Sequence, residues 1–314
     1  MKVAILDDYQ NVALRSADWA PVARRAEITV FNDHLADPDQ VVARLAPFDV
    51  VFVMRERTSL PRDVLQRLPR LRMIASNGVA NAAIDMAAAE QQGIEVSGSG
   101  GTAAGTVELT WALILAAARN LVAENASVRA GGWQRSVGHE LSGRVLGVLG
   151  LGRIGSRVAR IGAAFGMEVI AWSQNLSAEA ADAAGARLVD RRSLFGDSDV
   201  LSIHLKLSDR SRALVGADEL AQMKSTAWLV NTSRGPIVDE PALVAALRSG
   251  RLGGAALDVF DTEPLPADHP LRTLDNVLAT PHIGYVTDRQ YGIFFADAVA
   301  AISAWLDRNS GGDG

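Results

Sequence analysis

Residues 145–172 read VLGVLGLGRIGSRVARIGAAFGMEVIAW, and this stretch decides the class of the fold. The apolar run Val145–Leu149 predicts a strand, and the turn GLGRIG at residues 150–155 separates it from a helical pattern. A second run, Glu168–Trp172, predicts the strand that follows the helix. A strand, a glycine-rich turn, a helix and a parallel strand form a βαβ unit, so the stretch predicts an α/β domain with a mainly parallel sheet.

The three glycines of this turn have separate tasks in a dinucleotide-binding loop. Gly150 makes the tight turn, Gly152 lets a pyrophosphate approach the backbone, and Gly155 lets the helix pack against the strand. The helix N-terminus adds amide donors and a partial positive charge. The alternative is a loop that is rich in glycine only for packing. Between two strands and a helix, the dinucleotide site is the better interpretation.

The end of the second strand does not decide between NAD and NADP. NAD sites usually place Asp or Glu about 20 residues after the glycines, where the carboxylate binds the ribose 2′-hydroxyl. Here the strand ends in Ser173, Gln174 and Asn175. These neutral residues neither provide that carboxylate nor repel a 2′-phosphate, and no arginine follows at once. The sequence therefore predicts NAD or NADP without a preference.

The rest of the chain repeats the alternation of short β-branched runs with longer stretches rich in Ala and Leu. This rhythm predicts two Rossmann-like, doubly wound parallel-sheet domains with a cleft between them. The candidate strands besides those above are Lys2–Leu6, Glu27–Phe31, Val50–Val53, Met73–Ala75, Glu95–Val96, Arg187–Val189, Val200–His204, Trp228–Asn231, Gly254–Leu257 and Val277–Ala279.

Two long helices and a flexible segment set the predicted domain boundaries. The small residues of 97–106 are typical of a hinge, and a long helix is expected from about Val107 to Ala130. The last helix, from about Thr287 to Asn309, has an apolar stripe that we expect to cover the first domain. Residues 1–100 plus 287–314 are therefore predicted to form one domain, and residues 101–286 the dinucleotide-binding domain.

Composition excludes several classes of function. The chain has 314 residues with 31 basic and 36 acidic side chains, a net charge of −5 without long runs of one sign, so nucleic acid is an unexpected partner. The absence of cysteine excludes disulfides and thiolate metal sites and agrees with a cytoplasmic location. The five histidines lie far apart in the sequence, so no metal site is predicted. The apolar run Leu109–Ala118 is too short to span a bilayer, so no membrane association is expected.

Three polar residues follow candidate strands in turn-like sequences. Arg234 lies in NTSRGP, Glu263 in DVFDTEP and His282 in TPHIG. Taken singly, each could be a surface or structural residue. Ligands in open α/β sheets bind beyond the carboxyl ends of the strands, however, and all three occupy such positions.

Oxidation of a hydroxy acid next to a nicotinamide requires these three side-chain types. An imidazole exchanges protons near neutral pH, so His282 is the candidate acid and base. A carboxylate paired with an imidazole stabilises the imidazolium form, which is the role expected for Glu263. A guanidinium can hold a carboxylate with two hydrogen bonds and polarise the adjacent carbonyl, which is the role expected for Arg234.

These motifs resemble the D-isomer-specific 2-hydroxyacid dehydrogenase family, which includes D-3-phosphoglycerate dehydrogenases and glyoxylate/hydroxypyruvate reductases. GLGRIG, NTSRGPIVDE, AALDVFDTEPLP and PHIG occur in the family's order, with 29 positions from Arg234 to Glu263 and 19 from there to His282. The resemblance implies hydride transfer between NAD(P)H and a small 2-oxo acid or D-2-hydroxy acid. It also implies that the first domain binds the substrate.

The resemblance implies further contacts for the cofactor and the substrate. Besides the glycines, Ser173, Gln174 and Asn175, the implied cofactor contacts are Arg153, Ile154, Leu205, Lys206, Thr232, Ser233, Arg234, Asp258, His282 and Gly284. The implied substrate contacts are Arg55, Gly78, Val79, Ala80, Asn81, Arg234, His282 and Tyr285.

Three residues depart from the family's pattern. Lys206 replaces a common proline, and Tyr285 replaces a small residue and is expected to narrow the pocket or to stack on the substrate. Glu56 stands where many relatives have a small hydroxyl residue, and its charge would repel a phosphate-bearing substrate.

The same resemblance implies two alternative functions and one oligomeric state. Some relatives are dinucleotide-sensing corepressors without enzymatic activity, but they recruit partners through additional surfaces, and this chain shows no appended basic module. Formate dehydrogenases share the fold but are associated with glutamine at the position of Glu263. A homodimer is the expectation from the family.

Overall fold

The computed structural model describes residues 1–78 and 81–309, which form two compact units. The first unit combines residues 1–102 with the chain from Val286 onward, and the second is Ala103–Tyr285. Helices and strands are numbered in chain order through both units.

The first unit is built on a parallel sheet of five strands in the order β2-β1-β3-β4-β5. The strands are β1 (Lys2–Ile5), β2 (Glu27–Val30), β3 (Val50–Val53), β4 (Met73–Ser76) and β5 (Glu95–Ser97). The helices of this unit are α1 (Ala13–Ser16), α2 (Ala20–Ala23), α3 (Pro38–Leu45), α4 (Arg62–Leu65), α5 (Met86–Gln91) and α13 (Asp288–Asn309). The chain winds outward in both directions from β1 and β3, as in doubly wound folds.

Apolar strands and α13 make the core of the first unit. Every residue of β3 and β4 is buried, as expected for strands that helices cover on both faces. The helix α13 packs on α1, α2 and β4, and Phe295 contacts the rings of both Trp19 and Phe52. The apolar stripe of the last helix therefore covers the first sheet.

The second unit contains a parallel sheet of seven strands in the order β12-β11-β10-β9-β6-β7-β8. The strands are β6 (Val145–Leu149), β7 (Glu168–Trp172), β8 (Arg187–Leu188), β9 (Val200–Ile203), β10 (Trp228–Asn231), β11 (Gly254–Leu257) and β12 (Val277–Ala279). The helices are α6 (Ala104–Ala118), α7 (Leu121–Arg129), α8 (Gly155–Ala164), α9 (Ala178–Ala183), α10 (Arg191–Asp197), α11 (Ala217–Gln222) and α12 (Glu240–Arg248). The order reverses between β6 and β9, and such a switch point is where α/β sheets bind ligands.

The two parallel sheets confirm the predicted fold class, and the strand predictions are accurate to within one residue at each end. The prediction of one long helix from Val107 to Ala130 is wrong. The chain breaks at Asn120, whose φ of +51° lies in the left-handed region, and α6 and α7 meet at an angle of 65°. The helix α6 is apolar, and its residues Val107, Trp111 and Ile114 are buried. The break turns the more polar α7 away from the direction of α6.

No single helix among residues 1–78 and 81–309 is long and apolar enough to cross a membrane. The bent pair formed by α6 and α7 meets the criteria of length and composition only when the two helices are taken together.

Candidate functional site

The loops that carry the three predicted catalytic residues leave neighbouring strands of the second sheet. The strands β10, β11 and β12 are parallel, and their last residues Asn231, Leu257 and Ala279 lie side by side. Arg234 follows β10, Glu263 follows β11 and His282 follows β12. All three loops therefore start at the same edge of the sheet.

Glu263 and His282 link two of these loops. Glu263 Oε2 lies 2.6 Å from His282 Nδ1, and Glu263 Oε1 accepts a hydrogen bond of 2.9 Å from the Phe260 amide. The φ of His282 is +53°, a conformation that costs free energy for a residue with a side chain. Since Nδ1 is occupied by the carboxylate, the Nε2 atom is the one that can exchange a proton with a ligand.

Arg234 lies on a loop that packs directly against the Glu263 loop. A Cβ atom added to the next residue, Gly235, would lie 2.1 Å from the carbonyl carbon of Phe260, so only glycine permits this approach. The loop is fixed from within, because Asn231 Nδ2 donates to the Arg234 carbonyl over 2.9 Å. The Arg234 guanidinium donates to the Ser233 carbonyl.

Asp258 fixes the loop that carries His282. Its carboxylate accepts hydrogen bonds from Thr280 Oγ1 at 2.6 Å and from the amides of Ile283 and Gly284 at 2.8 Å each. Burial raises the pKa of Asp258 above its ordinary value, although these hydrogen bonds act in the opposite direction. Asp258 thus binds the chain both before and after His282 and holds this loop in place. It is also one of the implied cofactor contacts.

The glycine loop has the geometry that its sequence predicts. Gly150 has a φ of +97°, and a Cβ atom on Gly155 would lie 2.1 Å from the Gly150 carbonyl oxygen. A Cβ atom on Gly152 would meet no heavy atom within 4 Å. Packing of the chain therefore explains the first and third glycines, whereas the described chain leaves the side of Gly152 open.

The helix α8 begins directly after this loop. Its N-cap residue, Ile154, provides no side-chain acceptor for the first amides. Amide donors at a helix N-terminus suit a phosphate group. The donor set of the loop and the open side of Gly152 both fit a dinucleotide.

Other implied cofactor contacts surround the same edge of the sheet. The Ser233 hydroxyl donates to the Leu205 carbonyl, and a Cβ atom on Gly150 would lie 2.8 Å from the Leu205 side chain. The Trp172 carbonyl at the end of β7 accepts a hydrogen bond of 2.9 Å from the Gly150 amide. Ser173 is half-buried at this position, whereas Arg153, Gln174, Asn175 and Lys206 are exposed.

His204 lies beneath the glycine loop and stays neutral. A Cβ atom on Gly150 would lie 2.9 Å from the His204 carbonyl carbon, and His204 Nε2 lies 2.9 Å from Ser202 Oγ. Burial lowers the pKa of His204 to about 4. This histidine is uncharged at neutral pH, and its backbone lies against Gly150 of the loop.

Tyr285 contacts the ring of His282. The two ring centroids are 5.4 Å apart and the planes meet at 78°, an edge-to-face arrangement. The tyrosine that replaces a small residue in the family's pattern therefore packs edge-to-face on the imidazole.

The implied substrate contacts of the first unit follow β3 and β4. Asn81 Nδ2 donates to the Arg55 carbonyl at 2.6 Å, and the Gly78 amide donates to Ser99 Oγ at 3.0 Å. These bonds join the two loops to one another and to the chain after β5. Val79 and Ala80 lie outside the described residues.

Several residues that support these loops were not predicted from the sequence. Thr110 Oγ1 lies 2.8 Å from Thr232 Oγ1, and Thr106 Oγ1 donates to the Gly284 carbonyl at 3.1 Å. Thr106 and Thr110 are four residues apart on α6, so they share one helical face. This spacing was the signal available in the sequence, but it does not say which loops the hydroxyls reach. Within residues 1–78 and 81–309, no group of three or more His, Cys, Asp or Glu side chains could hold a metal ion.

Comparison with known proteins decides the family. Residues 111–284 match the profile described as D-isomer specific 2-hydroxyacid dehydrogenase, NAD binding domain. The chain belongs to the D-isomer specific 2-hydroxyacid dehydrogenase family. The matched stretch lies inside the second unit and includes the glycine loop and all three of Arg234, Glu263 and His282.

Named relatives of this family member are similar over most of its length. It is 48% identical over 235 residues to a glyoxylate reductase of Aeropyrum pernix. This alignment covers 72% of this chain and 70% of the relative. It is 36% identical over 284 residues to a hydroxypyruvate reductase of Thermotoga maritima, with 88% and 91% covered. The chain spans about half the length of the D-3-phosphoglycerate dehydrogenases that it matches.

A solved structure has the same fold over nearly the whole chain. The phosphoglycerate oxidoreductase of Vibrio cholerae o395 superposes with a TM-score of 0.93 at 38% identity and covers 98% of this chain and 99% of its own. The predictions of the family, of the fold and of an NAD(P)-dependent oxidoreductase of 2-oxo and 2-hydroxy acids are confirmed.

Proposed function

We propose that this family member reduces a small, unphosphorylated 2-oxo acid to the D-2-hydroxy acid, with His282 as the proton donor. The observation that carries the proposal is the 2.6 Å contact between Glu263 Oε2 and His282 Nδ1. It orients the imidazole and leaves Nε2 for the substrate oxygen.

Each of the three residues has one task in the reaction. The Arg234 guanidinium binds the substrate carboxylate and polarises the neighbouring carbonyl. His282 gives its Nε2 proton to the carbonyl oxygen as that oxygen gains negative charge. Glu263 holds the imidazolium before transfer, and the Phe260 amide holds Glu263 in turn. The bound nicotinamide supplies the hydride.

The residues that would hold the dinucleotide surround the end of β6. The amides of the glycine loop and of α8 suit the pyrophosphate, and Leu205 would border the adenine. At the end of β7, Ser173, Gln174 and Asn175 carry no charge, so both NAD(H) and NADP(H) are compatible with this rim.

The first unit supplies the selectivity for the substrate tail in this proposal. Glu56 Oε2 lies 3.7 Å from Arg55 Nε, so the acid offsets the charge that would otherwise attract a phosphate. The reductase names of similar proteins support glyoxylate and hydroxypyruvate as first candidates.

A screen of 2-oxo acids with NADH and NADPH tests the activity. We expect turnover of glyoxylate or hydroxypyruvate that exceeds turnover of 3-phosphohydroxypyruvate by at least tenfold in kcat/KM. Binding of dinucleotide without turnover of any 2-oxo acid would contradict the proposal and favour a sensor without enzymatic activity.

The variant Glu56→Ser tests the selectivity. Removal of the carboxylate should raise kcat/KM for the phosphorylated acid by about tenfold, since one repulsive charge is lost, and should leave the value for glyoxylate within a factor of two. An unchanged ratio of the two substrates would show that Glu56 does not select the tail.

We also propose that two copies associate through the segment 121–137 of the second unit. Large apolar side chains are exposed at Leu121, Val122, Val128, Trp133 and Val137, and Val137 is 92% exposed. A concentration of apolar surface favours a protein partner. Light scattering of the wild type and of Val137→Asp would test this, with a dimer expected for the first and a monomer for the second.

The cytoplasmic location is part of the same proposal. A chain without cysteine suits a reducing compartment, and NAD(P)H supply suits it as well. Detection of the protein in the cytoplasmic fraction of cells would support this location, and detection outside it would contradict it.

A further inference from the structure

A buried carboxylate at the end of β1 stands out in the first unit. Asp7 is 1% exposed and has a φ of +57°, in the left-handed region that side chains disfavour. A carboxylate that leaves water loses hydration free energy unless other groups bind it. The surrounding structure must therefore fix this residue strongly.

Three side chains from other segments hold Asp7. Its Oδ1 lies 3.0 Å from His34 Nδ1, and its Oδ2 accepts a hydrogen bond of 2.6 Å from Thr58 Oγ1. Its carbonyl oxygen accepts a hydrogen bond of 2.7 Å from Arg57 Nη1. The Arg57 guanidinium in turn lies over the Tyr9 ring, 4.4 Å from the centroid. Both oxygens of the carboxylate are thus directed at the ends of neighbouring strands.

The strand order explains why these groups meet. The strands β2, β1 and β3 are neighbours, so the residues that follow them share one edge of the sheet. His34 follows β2, Asp7 follows β1 and Thr58 follows β3. Thr58 is 4% exposed, so the contact with Asp7 is sheltered from water, where a charge-assisted hydrogen bond is stronger.

The loop that Asp7 holds is the one with Arg55 and Glu56. Arg55 also has a φ in the left-handed region, at +55°. Its carbonyl accepts the 2.6 Å hydrogen bond from Asn81, while Thr58 at the other end is bound to Asp7. The loop is therefore held at both ends, and at Arg55 its backbone has a conformation that a residue with a side chain disfavours.

We propose that Asp7, supported by His34, is a positioning residue that sets the conformation of the Arg55–Thr58 loop and thereby the affinity for the 2-oxo acid. The inference rests on the proposed function, which places this loop at the substrate. Asp7 acts through Thr58 and Arg57 and has no part in hydride or proton transfer. Loss of the Asp7–Thr58 hydrogen bond weakens substrate binding without slowing the chemical step.

The variant pair Thr58→Val and Thr58→Ser tests the proposal. Valine keeps the shape of threonine but lacks the hydroxyl donor, whereas serine keeps the donor. We expect Thr58→Val to raise KM for glyoxylate about tenfold with kcat within a factor of two, and Thr58→Ser to restore KM to within a factor of three of the wild type. NADH affinity, measured by fluorescence titration, should be the same in all three proteins.

Asp8 offers a matched control for Asp7. It is also 1% exposed, but its carboxylate caps α1 by accepting from the amides of Val12 and Ala13. Asp7→Asn should raise KM at least fivefold, because an amide cannot offer two acceptor oxygens to His34 and Thr58. Asp8→Asn should leave KM within a factor of two.

Binding of oxalate separates failure of this inference from failure of the proposed function. Oxalate has adjacent carboxylate groups and cannot be reduced, so calorimetric titration of the enzyme with NADH present measures anion binding without turnover. A wild type that binds oxalate but reduces no 2-oxo acid would contradict the proposed function, and a tenfold weaker Kd in Thr58→Val would still support the positioning role. Equal KM and equal oxalate Kd in the wild type, Thr58→Val and Asp7→Asn would overturn the inference, as would a wild type that binds no oxalate.

Discussion

The carboxylate of Glu263 lies 2.6 Å from Nδ1 of His282, although the two residues are 19 positions apart. They meet because they follow β11 and β12, which are neighbours in the sheet. The side chains are 33% and 21% exposed, so the pair is accessible to a ligand while water screens it only in part. This arrangement holds one nitrogen of the imidazole against the carboxylate and leaves the other nitrogen to exchange a proton with a ligand.

Removal of the imidazole should abolish most of the turnover. His282→Ala is expected to lower kcat by a factor of about 100 to 10,000, the usual contribution of a positioned acid or base, with NADH affinity within a factor of three. Stopped-flow measurement of hydride transfer checks the chemical step. The exposed His139 provides a matched control, and His139→Ala should retain full activity. Near-complete activity of His282→Ala would refute the assignment of the proton donor.

Neutralisation of the acid should change the pH profile of reduction. In Glu263→Gln the imidazole loses its anionic partner, so the basic limb of kcat/KM against pH should move to lower pH. Glu263→Asp keeps the charge and serves as the control for geometry. A basic limb at the same pH in Glu263→Gln and the wild type would mean that the contact only orients the ring.

The second and third glycines of the loop should respond differently to the same substitution. Gly155→Ala brings Cβ to 2.1 Å from a carbonyl oxygen, so it should destabilise the fold by several kcal/mol or prevent folding. Gly152→Ala meets no atom of the chain within 4 Å and should leave Tm nearly unchanged. We nevertheless expect it to weaken NADH binding at least tenfold, because the methyl group would occupy the approach of the pyrophosphate. Calorimetry and fluorescence titration measure the two effects, and unchanged NADH affinity would argue against the proposed approach at Gly152.

Acid should destabilise the protein through His204. Burial lowers the pKa of this side chain to about 4, whereas in the unfolded chain it takes up a proton near its ordinary value of 6.5. Between these pH values the unfolded state binds more protons, so the free energy of unfolding falls as the pH falls. The free energy of unfolding falls by up to about 3 kcal/mol in total, because the uptake of one proton changes it by about 1.4 kcal/mol for each pH unit.

Urea denaturation at a series of pH values, compared between the wild type and His204→Asn, measures this contribution. The wild type should lose more stability between pH 6.5 and 4 than the variant. Parallel curves for the two proteins would show that another group dominates the acid limb.

The sequence determined the repeating elements and the candidate chemistry. Strands and helices follow from local periodicity, which is why the strand ends were predicted to within one residue. The glycine loop was recognisable because its three special residues are contiguous. The continuous helix from Val107 to Ala130 failed because the local preference for helix does not reveal the left-handed residue Asn120.

Contacts between side chains that are distant in the sequence depend on the tertiary structure. The sequence placed Glu263 and His282 after candidate strands, but their contact depends on β11 and β12 being neighbours in the sheet. The link of Asp7 to His34 and Thr58 was not predicted at all, because it joins residues 27 and 51 positions apart. Such contacts are set by strand order and by the burial of whole loops, which are properties of the packed chain. Local sequence determines the hydrophobic period of each segment, and packing determines which segments are neighbours in the fold.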